Sequence, residues 1–337
     1  MRVLKFGGSS LADAAAIAQV AHIVRKHSEV NETVLVCSAC GGVTNKLAQI
    51  AELVRSGHTI RALAKVWRLR ARHRTIWFSL NLEAGQSSDQ MVERARVWNE
   101  LEELGEKLRA SVAGTAWRDA GDAWADSILA YGERASARLV AGALRSTGLC
   151  AEAVDATRFL ITDRNFQNAA PLRDETRRRG REILLPLIEK GAIPVVTGFI
   201  GATLARETTT LGRNSSDYSA AIVGDVIDAD EVWLWTDVDG VFDSDPRRRE
   251  GLQDEDAEGQ ELTLLDELSY DQALHMANGG AKVIHPRTIE PLREKEIVLR
   301  IRNTFRPEHP GTRISGGGNA RPGTGAPAPL AAERAAR

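Results

Sequence analysis

Short runs of β-branched and aromatic residues alternate along this chain with longer stretches whose apolar positions recur every three or four residues. Val3-Leu4-Lys5-Phe6 and Val34-Leu35-Val36 read as strands, and the pattern returns at 151–154, 193–197, 231–235 and 297–302. Helical spacing predicts helices over 11–27, 44–56, 171–190, 215–227, 264–276 and 286–293. The region 59–147 reads as mostly helical, with segments near 88–110 and 121–147. Strands alternating with helices predict an α/β fold in which a mostly parallel sheet is covered on both faces. Ligand loops of such sheets gather at the carboxyl ends of the strands, so the loops after Phe6, Val36, Val196 and Trp235 are the ones to watch.

Composition narrows the class. A chain of 337 residues can bury a substantial core, and its charged share of 27% is ordinary for a soluble globular protein. A net charge of −2 argues against non-specific nucleic-acid or membrane binding. No apolar run reaches the roughly 18 residues that a membrane span needs. The chain opens directly on a strand, without an apolar signal segment, and its three cysteines fit a reducing compartment, so a cytoplasmic location is expected. Cys37 and Cys40 spell C-x-x-C, but no second ligand pair accompanies them and Gly41-Gly42 follows; they read as small residues in a tight loop. The basic run Arg61, Lys65, Arg68, Arg70, Arg72 and Arg74 is interleaved with apolar residues at helical spacing and reads as an amphipathic helix with a solvated basic face. From Ser315 onward Gly, Pro and Ala dominate, and 315–337 is expected to be a disordered tail after a domain spanning 1–314.

The candidate chemistry sits in loops. Lys5-Phe6-Gly7-Gly8-Ser9-Ser10 ends a strand in a lysine, two glycines and two hydroxyls before a helix. Glycines let backbone N–H groups approach a phosphate, and a lysine can place a point charge on phosphoryl oxygens. It is not a Walker A loop, because the lysine precedes the glycines. Three further loops share this small, hydroxyl-rich character: 38–45, with Ser38 and Thr44; 197–201; and 208–218, where Arg213 and Ser216 precede Asp217 at a helix start. An arginine fork suits a carboxylate. The acidic stretch 236–245 lacks EF-hand spacing and fits a nucleotide-contacting loop better than a calcium site. Gly279-Gly280-Ala281-Lys282 supplies a second lysine behind glycines.

Together K-F-G-G-S-S, Y-G-E-R-A-S at 131–136, V-V-T-G-F-I-G, T-T-T-L-G-R-N-S-S-D-Y-S-A-A, W-T-D-V-D-G-V-F-D-S-D-P-R and G-G-A-K-V-I-H-P-R-T resemble, in order, the aspartate kinase branch of the amino-acid kinase family, over roughly 1–314. The resemblance implies a three-layer αβα sandwich around a mostly parallel eight-stranded sheet, with the N-terminal part binding the amino acid and the C-terminal part the nucleotide. It implies ATP as co-substrate, Mg²⁺, and phosphorylation of the β-carboxylate of L-aspartate in the route to lysine, threonine and methionine. It places Lys5 on the phosphates with Asp217 orienting it, and Lys282 beside them. Glu133 would hold the substrate α-amino group and Arg213 its α-carboxylate, with Ser38, Thr44 and Ser216 on the substrate side. Gly7, Gly8 and Ser9 would form the phosphate loop, and Thr236, Asp237, Phe242, Arg247 and Lys282 the nucleotide site.

The sequence departs from the family pattern at Ser9, where threonine is usual, at Gly279, where an aromatic is usual, and at Phe242, where tyrosine is common. The loop carrying Lys282 is therefore expected to be looser. The family's usual ACT modules, which bind lysine or threonine, are not expected here, so a kinase without its own feedback module is the reading; a homodimer fits it. Two other readings stay open: a catalytically silent nucleotide-binding homologue, and a kinase of a related amino acid in secondary metabolism.

Overall fold

The computed structural model describes residues 1–80, 88–243, 263–278, 284–317 and 321–322. Strand β1 (Arg2–Phe6) leads through a 3-10 turn at Ser9–Leu11 into α1 (Ala14–Ser28) and β2 (Thr33–Cys37). Helices α2 (Val43–Arg55), α3 (Thr59–Leu80), α4 (Ser88–Gly114), α5 (Asp122–Leu129) and α6 (Tyr131–Ser146) precede β3 (Ala151–Val154) and β4 (Ile161–Thr162). Next come α7 (Arg173–Glu189), β5 (Ile193–Thr197), β6 (Ile200–Thr203), β7 (Thr208–Thr210), α8 (Ser216–Val226), β8 (Glu231–Thr236) and β9 (Val241–Phe242). The described chain closes with β10 (Leu264–Ser269), α9 (Tyr270–Asn278), α10 (Ile289–Glu294), β11 (Val298–Asn303), β12 (Thr312–Ser315) and β13 (Arg321–Pro322).

The main sheet runs β13-β10-β12-β11-β8-β1-β2-β5-β3, with β9 also paired to β10. The expected eight strands are the long part of this row. The two-residue strands β9 and β13 extend its β10 edge, so among the described residues the sheet has ten strands rather than eight. Pairing is parallel from β11 through β3 and antiparallel where β12, β9 and β13 join the C-terminal edge. Central strands β2 and β5 are buried at every position, as strands covered on both faces must be. One apolar core joins α1–α6 to one face, around Trp77, Phe6 and Trp235. The other joins α7–α10 to the opposite face, around Val3, Val196 and Leu234. The α/β sandwich read from the sequence is thus the fold.

Some expectations need correction. Residues 264–276 are not one helix: 264–269 form β10, and α9 starts at Tyr270. Ser269 and Gln272 cap it reciprocally, the Gln272 backbone N–H donating to Ser269 Oγ at 3.2 Å and the Ser269 N–H to Gln272 Oε1 at 2.8 Å. The first helix begins at Ala14 rather than 11, because Asp13 accepts the Ala16 N–H at 2.9 Å as its N-cap. A second sheet, β4-β6-β7, was not foreseen. The basic face of α3 is only partly solvated: Arg70 pairs with Glu102 at 3.0 Å, and Arg74 pairs with Glu102 while lying 4.8 Å over the Trp98 ring. The stretch expected as tail begins on Ser315, the last residue of β12, continues as a turn at 316–317, and pairs with β10 at 321–322; residues 318–320 and 323–337 lie outside the described residues.

Candidate active site

Strand register sets the site. Phe6 is level with Cys37 on one side and Trp235 on the other, and Cys37 is level with Thr197. The carboxyl ends of β1, β2, β5 and β8 therefore meet at one rim. The loops after β1, β2 and β5 each leave it with one further hydrogen bond to a neighbouring strand. The Gly7 N–H donates to the Trp235 carbonyl at 3.2 Å, Ser38 to Phe6 at 3.1 Å and Gly198 to Cys37 at 2.9 Å. These are the loops that the strand–helix alternation pointed to.

Alternation along β1 buries Leu4 and Phe6 against α1–α6 and turns Val3 toward α7–α10. Lys5 shares the face of Val3 and so meets the first turn of α8. There its Nζ pairs with Asp217 Oδ1 at 2.5 Å, both side chains being more than four-fifths buried. An ammonium and a carboxylate so far from water hold each other in place, and losing either strands the other. The turn beside Lys5 is built from close backbone approaches. A Cβ on Gly8 would lie 3.2 Å from the Ala39 carbonyl oxygen, and one on Gly41 would lie 3.1 Å from that of Gly8. Ser9 opens the 3-10 turn, and Ser10 Oγ bonds Thr304 Oγ1 at 2.6 Å.

Glu133 lies in the first turn of α6 and is 2% exposed. Its Oε1 accepts the Ala39 N–H at 3.1 Å; its Oε2 is buried without a hydrogen-bond partner. Desolvation pushes this carboxyl up to about 8, against the Ala39 hydrogen bond that favours the charged form. A buried carboxylate oxygen with no partner is the kind of group that a cationic ligand satisfies. Residue 132 must be glycine-sized for Glu133 to come this close, since a Cβ there would sit 2.7 Å from Ala39 Cβ. Ser136 Oγ donates to the Ser38 carbonyl at 2.6 Å and locks the same loop to α6. Ser38 and Thr44 are half-buried on that loop and at the start of α2. Burial pushes the Cys40 thiol up to about 12 and Cys37 further in the same direction, so neither is a ready thiolate.

Ser216 opens α8, 8% exposed. Arg213 stands exposed in the loop before it, with no ion-pair partner among the described residues. Thr236 and Asp237 lie at the end of β8, where Thr236 Oγ1 bonds Asp237 Oδ1 at 3.1 Å, and half-buried Phe242 lies on β9. Arg247 and Lys282, with the loop expected to be loose at Gly279, lie outside the described residues. Among the described residues no group of three or more His, Cys, Asp or Glu forms a metal cage, and no helix is long and apolar enough to cross a membrane.

Two residues in the site's framework escaped the sequence reading. Arg72 donates to the carbonyls of Gly41 at 2.7 Å and Ala12 at 3.0 Å, clamping the loops after β1 and β2 together. Asp126, fully buried, accepts the Thr210 N–H and hydroxyl at 2.9 Å each and the Gln167 N–H at 2.9 Å, tying α5 to the strand that leads to Arg213. A signal existed for both. Arg72 falls among Leu69, His73 and Ile76 on the buried stripe of α3, and Asp126 sits beside buried Ala125 and Ile128.

A family model described as the amino acid kinase family matches residues 1–303. The chain belongs to the amino acid kinase family. Within it, the chain is homologous to aspartokinases. It is 31% identical over 315 residues to lysine-sensitive aspartokinase 3 of Escherichia coli strain K12, covering 93% of this chain and 63% of that protein. It is 32% identical to the chloroplastic aspartokinase 3 of Arabidopsis thaliana, covering 93% of this chain and 52% of the relative. The structure of E. coli aspartokinase III in complex with aspartate and ADP superposes with a TM-score of 0.80 at 29% identity, over 94% of this chain and 64% of that one. The chain thus spans less than two thirds of the length of these relatives.

Proposed function

We propose that this chain transfers the γ-phosphoryl group of ATP to the β-carboxylate of L-aspartate, giving 4-phospho-L-aspartate, an acyl phosphate. The observation that carries this reading is Glu133: a buried carboxylate with one oxygen unpaired, one loop away from the Lys5–Asp217 pair. An α-ammonium group supplies the charge that this oxygen lacks. Arg213, exposed and unpaired among the described residues, suits the α-carboxylate. Ser38, Thr44 and Ser216 line the substrate side of this reading. The remaining carboxylate of the amino acid is then directed at the rim where Lys5 and the Gly7-Gly8-Ser9 turn lie. Likeness to a relative whose structure holds aspartate and ADP supports the same choice.

The chemistry asks little of a base. A carboxylate is already deprotonated near neutral pH, so its oxygen attacks phosphorus directly and the bond from phosphorus to the bridging oxygen of ADP breaks. Two anions must approach, and the chain's task is to hold them in line and offset their charge. Lys5, held by Asp217, does this beside backbone N–H groups, with Lys282 as a second cation. Thr236, Asp237, Phe242 and Arg247 serve the nucleotide in this reading. No carboxylate cage for a metal forms among the described residues, so Mg²⁺ would arrive with the nucleotide and would supply charge neutralisation at its phosphates. The place of the reaction in lysine, threonine and methionine synthesis, a cytoplasmic location and a homodimeric assembly complete the proposal.

An ADP-release assay with aspartate, with glutamate and without acceptor tests it. ADP release that depends on aspartate and exceeds the glutamate rate is expected. Equal rates in all three arms mean a different acceptor or mere hydrolysis, and no turnover in any arm means a silent homologue.

A further inference from the structure

Arg287 follows the stretch that carries Lys282, in a 3-10 turn at Pro286–Thr288 whose N-cap, His285, accepts the Arg287 N–H through Nδ1 at 3.3 Å. Its guanidinium forms no salt bridge among the described residues. It donates instead through Nη1 to the Leu211 carbonyl at 3.1 Å and Asn168 Oδ1 at 3.2 Å, and through Nη2 to the Ala169 carbonyl at 3.3 Å. Its carbon centre lies 4.6 Å from the centroid of the Tyr218 ring. One planar fork thus grips both ends of the segment from Leu211 to Tyr218, and between those ends lie Arg213, Ser216 and Asp217. The start of the segment is held as well. Thr210 is fixed on Asp126, and Gly212, at φ +96°, has no room for a Cβ, which would lie 2.9 Å from Asn168 Oδ1. A lysine in place of Arg287 would keep the charge but could neither span these acceptors in one plane nor stack on the ring in the same way.

We propose that Arg287 is a positioning residue for amino-acid binding: it fixes the 211–218 segment so that Arg213 is presented to the substrate. This rests on the reading of Arg213 as the α-carboxylate clamp. The test compares wild type, Arg287→Lys and Arg287→Gln in the full chain, by steady-state kinetics and by backbone amide exchange. Loss of charged hydrogen bonds of this kind is expected to raise the KM for aspartate about tenfold in both variants while the KM for ATP stays within about twofold. Amide exchange across 209–214 should accelerate about tenfold while strand β2 keeps its protection. Unchanged exchange across 209–214, or KM values for both substrates that rise together, overturns the proposal. Should Arg287→Gln misfold, Arg287→Lys decides alone. Failure of wild type to turn over aspartate would sink the substrate reading, whereas the exchange experiment judges the grip of Arg287 without any turnover.

Discussion

Glu133 must be ionised to meet an ammonium group, yet burial holds its carboxyl up to about 8. kcat/KM reports the free enzyme, so for aspartate it should climb from about pH 6 and level off above about 8, while kcat/KM for ATP stays flatter. The same shift has a stability sign. The folded carboxyl binds its proton more tightly than the unfolded one, with its ordinary value of 4.5. Between about pH 4.5 and 8 the native state therefore holds more protons than the unfolded state, and stability from this group is lost as pH rises through that window. Glu133→Gln removes the penalty. It should melt progressively higher relative to wild type between about pH 5 and 8.5, while kcat/KM for aspartate falls about a hundredfold or more from loss of a buried charge pair. A flat wild-type profile across that range would contradict the role given to Glu133. Lys5 stood out in the sequence because glycines and hydroxyls follow it at a strand end, whereas Asp217 read only as a residue at a helix start, and its pairing with Lys5 was implied by the family resemblance. For Arg72 and Asp126 only the place on a buried helix stripe was readable; their bonds were not, because the partners are backbone groups distant in sequence.

At the scale of elements, the reading succeeded where burial writes a simple pattern and failed where pairing decides. β1, β2, β5 and β8 are β-branched or aromatic runs buried by helices on both faces, and they stood out. β10 did not. Leu264, Leu265 and Leu268 have helical spacing, but the segment is claimed by β12 on one side and β13 on the other, and the capping pair Ser269 and Gln272 marks where the helix begins. β7 is three threonines, too short and polar for any period to show. The contact between α6 and the loop after β2 yields a prediction of its own. Gly132→Ala inserts a methyl where Ala39 Cβ would lie 2.7 Å away and Val43 Cγ1 3.2 Å away. Overpacking of this kind costs about 1–3 kcal/mol. Here it should push Glu133 and Ser38 apart, lowering kcat/KM for aspartate at least about tenfold while the circular dichroism spectrum remains that of wild type. Kinetics within about twofold of wild type would mean that the loop yields without consequence.

The whole molecule is two apolar cores on either side of one sheet, with the carboxyl rim of that sheet left for chemistry. The rim gathers a lysine paired to an aspartate, a glycine turn, a buried glutamate with a free oxygen and an arginine without an ion-pair partner among the described residues, from segments spread between residues 5 and 217. The gathering of the loops after β1, β2, β5 and β8 followed from the strand–helix alternation; Glu133, on α6, did not. Nor did the amino-acid specificity, since that depends on how far apart the charged groups stand across the rim. The central claim is that these groups make an acyl phosphate on aspartate. Such a product reacts with hydroxylamine to give a hydroxamate, which ferric ion reveals. Wild-type protein with MgATP, L-aspartate and hydroxylamine should accumulate hydroxamate in step with ADP. Lys5→Ala, folded by circular dichroism, should make it at least about a thousandfold more slowly. ADP release without hydroxamate, or hydroxamate formed equally well by Lys5→Ala, would contradict the account.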